Sequence, residues 1–190
     1  MTEIGAVGRR GQIVSPPVEP LRELVRDLEA NGVACALGGS GLLAALGLAR
    51  EVRDWDLTTD APPDLVRAAL GEREHEWVGS DALHADQKFS LAGGAIELIV
   101  GFAFHTSGGV VRLPTIVAGG WNGVPVGSPE VWAAAYVLLD RVAKAEALFG
   151  HLESRGADAR SLARLLGEAV PAELRRRLEA LPLDPTSSIT

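Results

Sequence analysis

Asp54 and Asp56 stand two residues apart in VRDWDLTT, residues 52–59. The alternation of that phrase predicts a strand, on which residues two apart share a face. Both carboxylates then project together, while Trp55 and Leu57 turn the opposite way into a core. Two carboxylates 4 Å apart repel by about 4 kcal/mol at an effective dielectric near 20. A strand that keeps such a pair either solvates it on an exposed edge or offers it to a cation. A third acid, Glu97, interrupts the apolar run AIELIVGF. An isolated acid in such a run is costly unless it is paired or coordinates a metal. If its strand lies beside the first, the three carboxylates form an oxygen cage of the kind that suits Mg²⁺, an ion that keeps waters and bridges to phosphates. Two such ions about 3.5–4 Å apart clamp the attacking and leaving oxygens of a displacement. The plainer alternative for Glu97 is a strand residue facing solvent on the open side of the sheet.

Just before this strand comes Gly38-Gly39-Ser40, which reads as a glycine turn opening a helix. The free backbone N–H groups and dipole of a helix start receive phosphate oxygens, and Ser40 adds a hydroxyl donor. The same glycines admit a second reading. Gly39-Ser-Gly41-Leu-Leu-Ala44 satisfies the dinucleotide pattern G-x-G-x-x-A, and the acid Asp60 follows about 20 residues later. Three features oppose it. The helix is short for a crossover between parallel strands, Asp60 lies past the strand among turn residues, and the downstream chain reads as hairpins. A dinucleotide-binding half continues instead as alternating strand and helix.

Other elements must position these groups. Leu21, Leu24, Val25 and Leu28 have helical spacing from Pro20 to a stop at Asn31-Gly32. Residues 33–37 predict a short buried strand, 40–48 a helix and 61–70 a helix with proline at its start. Strands follow over 74–80, 88–92 and 95–104, the last two joined by a tight turn at Gly93-Gly94. Residues 110–118 and 124–126 predict a further strand pair around Asn122-Gly123. Ser128 then caps, and Pro129 opens, one long helix reaching residue 152. Two shorter helices are expected over 157–168 and 171–180. The expected fold class is α/β, a mixed β-sheet flanked by helices and followed by a small C-terminal helical part.

Composition narrows the function classes. The chain has 190 residues, 47% of them hydrophobic, and a mean hydropathy of +0.15, which is enough for a sizeable core. No apolar run approaches the roughly 18 residues that span a membrane. The opening residues contain no apolar signal region, so a cytoplasmic location is expected. A net charge of −7 and a pI near 5.1 argue against bulk nucleic-acid binding. Arg175, Arg176 and Arg177 read as the solvated face of a helix. The single cysteine, Cys35, excludes a disulfide within the chain and a cysteine metal cluster, and reads as buried filler. Oligomerisation is left open.

A glycine pair with serine, a short helix, Asp-x-Asp on a strand and a third acid on a later strand together resemble the DNA polymerase β-type nucleotidyltransferase superfamily. Gly39-Ser40, Asp54, Asp56 and Glu97 stand at the matching positions, and the likeness runs from Gly32 to Leu148. The phrase RDWDLTTDAPPDLV is also similar to the head of the tRNA CCA-adding branch. The chain departs from that branch in having GSGLLAALG where it carries Val-Arg-Asp, and it lacks the length and basic charge of the RNA-binding body. SPEVWAAAYVLLDRVAKAEAL resembles the helix after the catalytic sheet in small stand-alone transferases of the antibiotic-modifying and toxin-like kinds.

The resemblance implies a catalytic domain over 20–127, C-terminal helices over 128–182, a lead-in over 1–19 and a tail over 183–190. It implies transfer of a nucleoside monophosphate from an NTP to a hydroxyl of a small molecule, a protein or an RNA end. Asp54 and Asp56 would hold the triphosphate's Mg²⁺ (or Mn²⁺), and the same two with Glu97 a second ion that activates the hydroxyl. Glu97 or a metal-bound water would take the proton. Gly38, Gly39 and Ser40 would hold the β- and γ-phosphates. Lys88, Arg141 and Lys144 are expected as further phosphate-binding residues, with Arg141 and Lys144 one turn apart on the C-terminal helix. Arg53 is weighed too, but alternation turns it away from the aspartates. His84 and His105 read as structural, and Trp121 and Trp132 as packing. The competing function is a nucleotide-binding regulatory or toxin/antitoxin-type module with the same fold and little turnover.

Overall fold

The structure, a computed structural model, describes residues 13–185. Most of the expected lead-in and the end of the tail therefore lie outside the described residues. The first helix, α1 (Glu19–Ala30), buries Leu21, Leu24, Val25 and Leu28, the stripe its spacing predicts. It ends at Asn31, where the backbone N–H donates to the Asp27 and Leu28 carbonyls.

Strands β1 (Ala36–Leu37) and β2 (Trp55–Thr59) are antiparallel and are joined through the seven-residue helix α2 (Gly39–Ala45). A dinucleotide-binding half needs those two strands parallel, so this pairing removes that reading. Asp60 confirms the exclusion by its use: it accepts the Thr115 N–H at 3.0 Å and pairs with Arg164 at 3.2 Å.

Helix α3 (Pro63–Leu70) returns the chain to β3 (His75–Val78), β4 (Gln87–Leu91) and β5 (Ile96–Val100). A seven-stranded sheet runs β3-β4-β5-β2-β1, completed by β9 (Val124–Gly127) and β8 (Val117–Trp121). It is mixed: β5 is parallel to β2 and β9 to β1, and the remaining neighbours are antiparallel. Asn122 and Gly123, with φ of 50° and 75°, form the two-residue turn between β8 and β9.

Three expectations need correction. Residues 95–104 are not one strand. Gly101, at φ 67°, breaks the run, and β6 (Ala103–Thr106) leaves the sheet to pair with β7 (Gly109–Arg112). Residues 110–118 are likewise divided between β7 and β8, because β7 is claimed by β6. The long helix from residue 128 is two helices, α4 (Pro129–Leu138) and α5 (Val142–Arg155). Between them Asp140 adopts φ 53°, a left-handed conformation that aspartate tolerates and a continuing helix cannot contain. The break redirects the chain after α4, which buries every residue from Glu130 to Tyr136. The last helices are α6 (Ala159–Leu166) and α7 (Ala172–Glu179).

The sheet has an apolar cluster on each side. One contains Trp55, Leu57, Ile96, Leu98 and Phe89 beneath α1 and α3. The other gathers Leu42, Ile99, Phe102, Trp132, Leu148, Leu162 and Leu178 from α2, the sheet and the C-terminal helices. Arg177 binds Glu146 through two bonds of 2.7 and 2.6 Å and stacks on Phe149, so the arginine run is helix surface held by local partners. Cys35 is 2% exposed, and burial pushes its thiol up to about 12, which leaves it an inert packing residue.

Candidate active site

β2 turns Trp55 and Leu57 into the core, both with no exposed surface, and leaves Asp56 part-exposed on the other face. Asp56 is the register partner of Glu97 on the parallel neighbour β5. Residues paired across adjacent strands point to the same face, so the topology sets these two carboxylates side by side. Asp54 lies one step before the strand, in a bend, and lines the same cleft. Lys88 on β4 reaches across to Glu97 with Nζ 3.6 Å from Oε2.

The glycines before α2 are there because of this acid and its neighbours. Gly39 sits at φ 53°, and a Cβ on it would stand 1.7 Å from Asp56 Oδ2. Only glycine lets the carboxylate lie against the helix start. A Cβ at Gly38 would fall 1.8 Å from the Trp132 ring, and one at Gly41 would be 2.7 Å from Leu37. The Gly38 N–H donates to the Asp56 carbonyl at 2.7 Å, which ties the turn to the strand. The two glycines of the pattern G-x-G-x-x-A thus answer to close packing, Gly39 against Asp56 and Gly41 against Leu37 and Trp55.

The cleft has a volume of about 930 Å³ and brings together Gly39, Ser40, Asp54, Asp56, Lys88, Glu97, Arg141 and Lys144. Gly38 lies just behind it, under Trp132. The break at Asp140 puts Arg141 at the N-cap of α5 and Lys144 in its first turn, so the two stand one turn apart as expected, but at the start of a second helix and not within one long one. Arg53 also lines the cleft, against the expectation that it turns away. The strand begins only at Trp55, so alternation does not govern residue 53.

His84 lines the cleft as well, with Nδ1 held 3.0 Å from Asp81 Oδ2. The His84 backbone N–H, which donates to Asp81 Oδ1 at 2.7 Å, then the His84 ring and the Leu83 N–H, hold the Asp81 carboxyl below its ordinary range. The spacing of histidines in the chain did not indicate this position, since His84 arrives through a loop. Tyr136 was not singled out at all: it sits inside an apolar helix whose pattern suggests only core. Trp121 and Trp132 pack as expected, Trp121 against Trp55 at 5.9 Å and Trp132 against Phe102 at 5.1 Å.

Electrostatics concentrate on Asp56. Burial first, then the charges of Asp54 and Glu97, push its carboxyl up to about 7, with Lys88 and Lys144 opposing. Lys144 is lowered, chiefly by burial and then by Arg141. A carboxyl that resists ionisation beside other carboxylates is chemically suited to a hard divalent cation. Among the described residues, however, no three histidine, cysteine, aspartate or glutamate side chains stand close enough to hold one ion together. Glu97 is engaged by Lys88, so the fit to a cation rests on Asp54 and Asp56.

No protein-family model matches the chain, and no curated protein matches it. Among solved structures, its fold is similar to that of a Thermotoga maritima protein provisionally described as a nucleotidyltransferase. That likeness has a TM-score of 0.51 at 21% sequence identity and covers 77% of this chain and 99% of the other. It concerns the fold: a mixed sheet flanked by helices, of the nucleotidyltransferase kind.

Proposed function

We propose that the protein is a metal-dependent nucleotidyltransferase of the DNA polymerase β type. It would transfer a nucleoside monophosphate from an NTP to an acceptor hydroxyl. The observation that carries the reading is Asp56, paired in register with Glu97, joined in the cleft by Asp54 and pressed against Gly39 at a helix start. The likeness to the tRNA CCA-adding branch is confined to the phrase around these aspartates and adds no acceptor.

In the proposed reaction the acceptor oxygen bonds to the α-phosphorus, the bond to the β-phosphate bridge breaks, and pyrophosphate leaves with that electron pair. Asp54 and Asp56 would hold Mg²⁺ or Mn²⁺, which when bound neutralises phosphate charge and lowers the barrier to attack. Gly39 and Ser40 would present backbone and hydroxyl donors to the terminal phosphates, while the Gly38 N–H is already taken by the Asp56 carbonyl. Lys88, Arg141 and Lys144 line the cleft as counter-charges, and Arg53 joins them. Glu97 or a water would accept the hydroxyl proton. The chain's part is mainly positioning and charge complementarity, as in phosphoryl chemistry generally.

A second reading, a nucleotide-binding regulatory or toxin/antitoxin-type module with little turnover, is favoured by one observation. Lys88 already engages Glu97, and no three-carboxylate metal group is assembled among the described residues.

Both readings are tested with α-labelled ATP, CTP, GTP and UTP in Mg²⁺ or Mn²⁺, alongside calorimetric titrations with and without metal. The expected result is metal-dependent nucleotide binding that the double variant Asp54→Asn/Asp56→Asn loses, with transfer falling by roughly 1,000-fold or more. Equal binding by the variant sinks the carboxylate site. Metal-dependent binding without transfer to any offered acceptor supports the module.

A further inference from the structure

Tyr136 is 2% exposed, yet its ring lines the cleft that holds Asp54 and Asp56. Its hydroxyl oxygen is buried and has no hydrogen-bond partner among the described residues. A buried donor left unpaired is costly, and such groups are uncommon in folded proteins. Packing explains the ring, which lies 5.7 Å from Trp132, but a phenylalanine would pack as well. The oxygen needs another explanation.

Its surroundings supply one. Lys144 Nζ stands 5.3 Å from the Tyr136 ring centroid, and Arg141 caps the same helix start. Neither cation forms an ion pair among the described residues, and both line the cleft. Asp56 and Asp54 line the same cleft, and burial first, then the Asp56 charge, raises the Tyr136 phenol, with Arg141 opposing. A cleft lined by two carboxylates able to take a cation and by two side-chain cations without ion pairs suits a polyanion that carries its own cation. An ionised phosphate oxygen accepts a short, strengthened hydrogen bond even from an uncharged O–H donor.

We propose that the Tyr136 hydroxyl donates its hydrogen to a non-bridging oxygen of a polyphosphate bound in the cleft that Asp54, Asp56, Arg141 and Lys144 line. Tyr136 is then a positioning residue for the leaving pyrophosphate portion, not a participant in proton transfer. This assignment rests on the nucleotidyltransferase reading and names the part of that cleft which takes the phosphate chain.

The test is Tyr136→Phe, which removes one oxygen and keeps the ring. Calorimetry would use three probes with Mg²⁺: ATP, inorganic tripolyphosphate and adenosine. Tripolyphosphate and ATP should bind about 10- to 100-fold more weakly to the variant, the loss expected for one hydrogen bond to a charged acceptor. Any adenosine binding should be unchanged. The ligand-free variant should melt at the same temperature as the parent or higher, because an unpaired buried donor has been removed. Equal tripolyphosphate affinity overturns the assignment while leaving nucleotide binding intact. Loss confined to adenosine moves the contact to the nucleoside and also overturns it. A lowered melting temperature in the ligand-free variant makes the hydroxyl structural. If the parent protein binds neither ATP nor tripolyphosphate, the nucleotidyltransferase reading fails with it.

Discussion

At the scale of single residues, Asp56 joins stability to function. Its carboxyl, raised to about 7 from the ordinary 3.8, is harder to ionise in the fold than in the unfolded chain. Its contribution to stability is therefore full below about pH 3.8 and is lost as pH rises through about 7. In the presence of a chelator, Asp56→Asn should melt on the order of 5 °C above the parent at pH 8, with the gain shrinking towards pH 4. A gain that does not vary with pH would mean that the charge on Asp56 is not what strains the cleft. The aspartate pair and Glu97 are legible in the sequence because acids at strand spacing, or alone in an apolar run, are conspicuous against their neighbours. Tyr136 and His84 are not. Tyr136 has the same surroundings in sequence as any core aromatic, and His84 reaches the cleft through a loop with no periodicity to read.

At the scale of elements, capping chemistry marks the start of α4 in the sequence, whereas the start of α5 and the pairing of the strands have no local signal. Ser128 does cap α4, accepting the Val131 N–H at 3.3 Å. The structure adds that Glu130, 2% exposed, joins two such caps. It accepts the Ser128 hydroxyl at 2.5 Å through one oxygen and the Asp158 N–H at 2.7 Å through the other. Glu130→Ala should therefore cost about 2–4 kcal/mol in chemical denaturation, since one buried and one part-buried donor lose their carboxyl acceptor. Glu130→Gln, which keeps an acceptor, should cost less. A loss under about 0.5 kcal/mol for the alanine variant would show that the two caps are held by other means. The division of residues 95–104 and of the long helix escaped prediction for a related reason. Gly101 and Asp140 are ordinary residues in sequence, and their positive φ values answer to where the next element must pack.

For the molecule as a whole, the cluster beneath the sheet joins Leu42 and Ile99 to Leu148, Leu162 and Leu178. The C-terminal helices thus complete a core that the sheet begins. Heat unfolding of the ligand-free chain should be one cooperative transition, with calorimetric and van't Hoff enthalpies in agreement. Two resolved transitions would show that residues 128–182 fold apart from the sheet. Among the described residues no helix is long and apolar enough to cross a membrane, in keeping with the absence of any such run in the sequence.

Local chemistry and periodicity were enough to determine most helices, the mixed sheet and the carboxylates at its centre, because amphipathic spacing and capping depend on residues a few places apart. Tertiary structure decided the rest. It made β1 and β2 antiparallel, which set aside the dinucleotide reading, and it placed Glu97 beside Asp56 by strand register. It also brought Arg53, Arg141, Lys144 and Tyr136 to one cleft from three separate segments. Those outcomes depend on which surfaces bury one another across the chain, and no window of neighbouring residues contains that information.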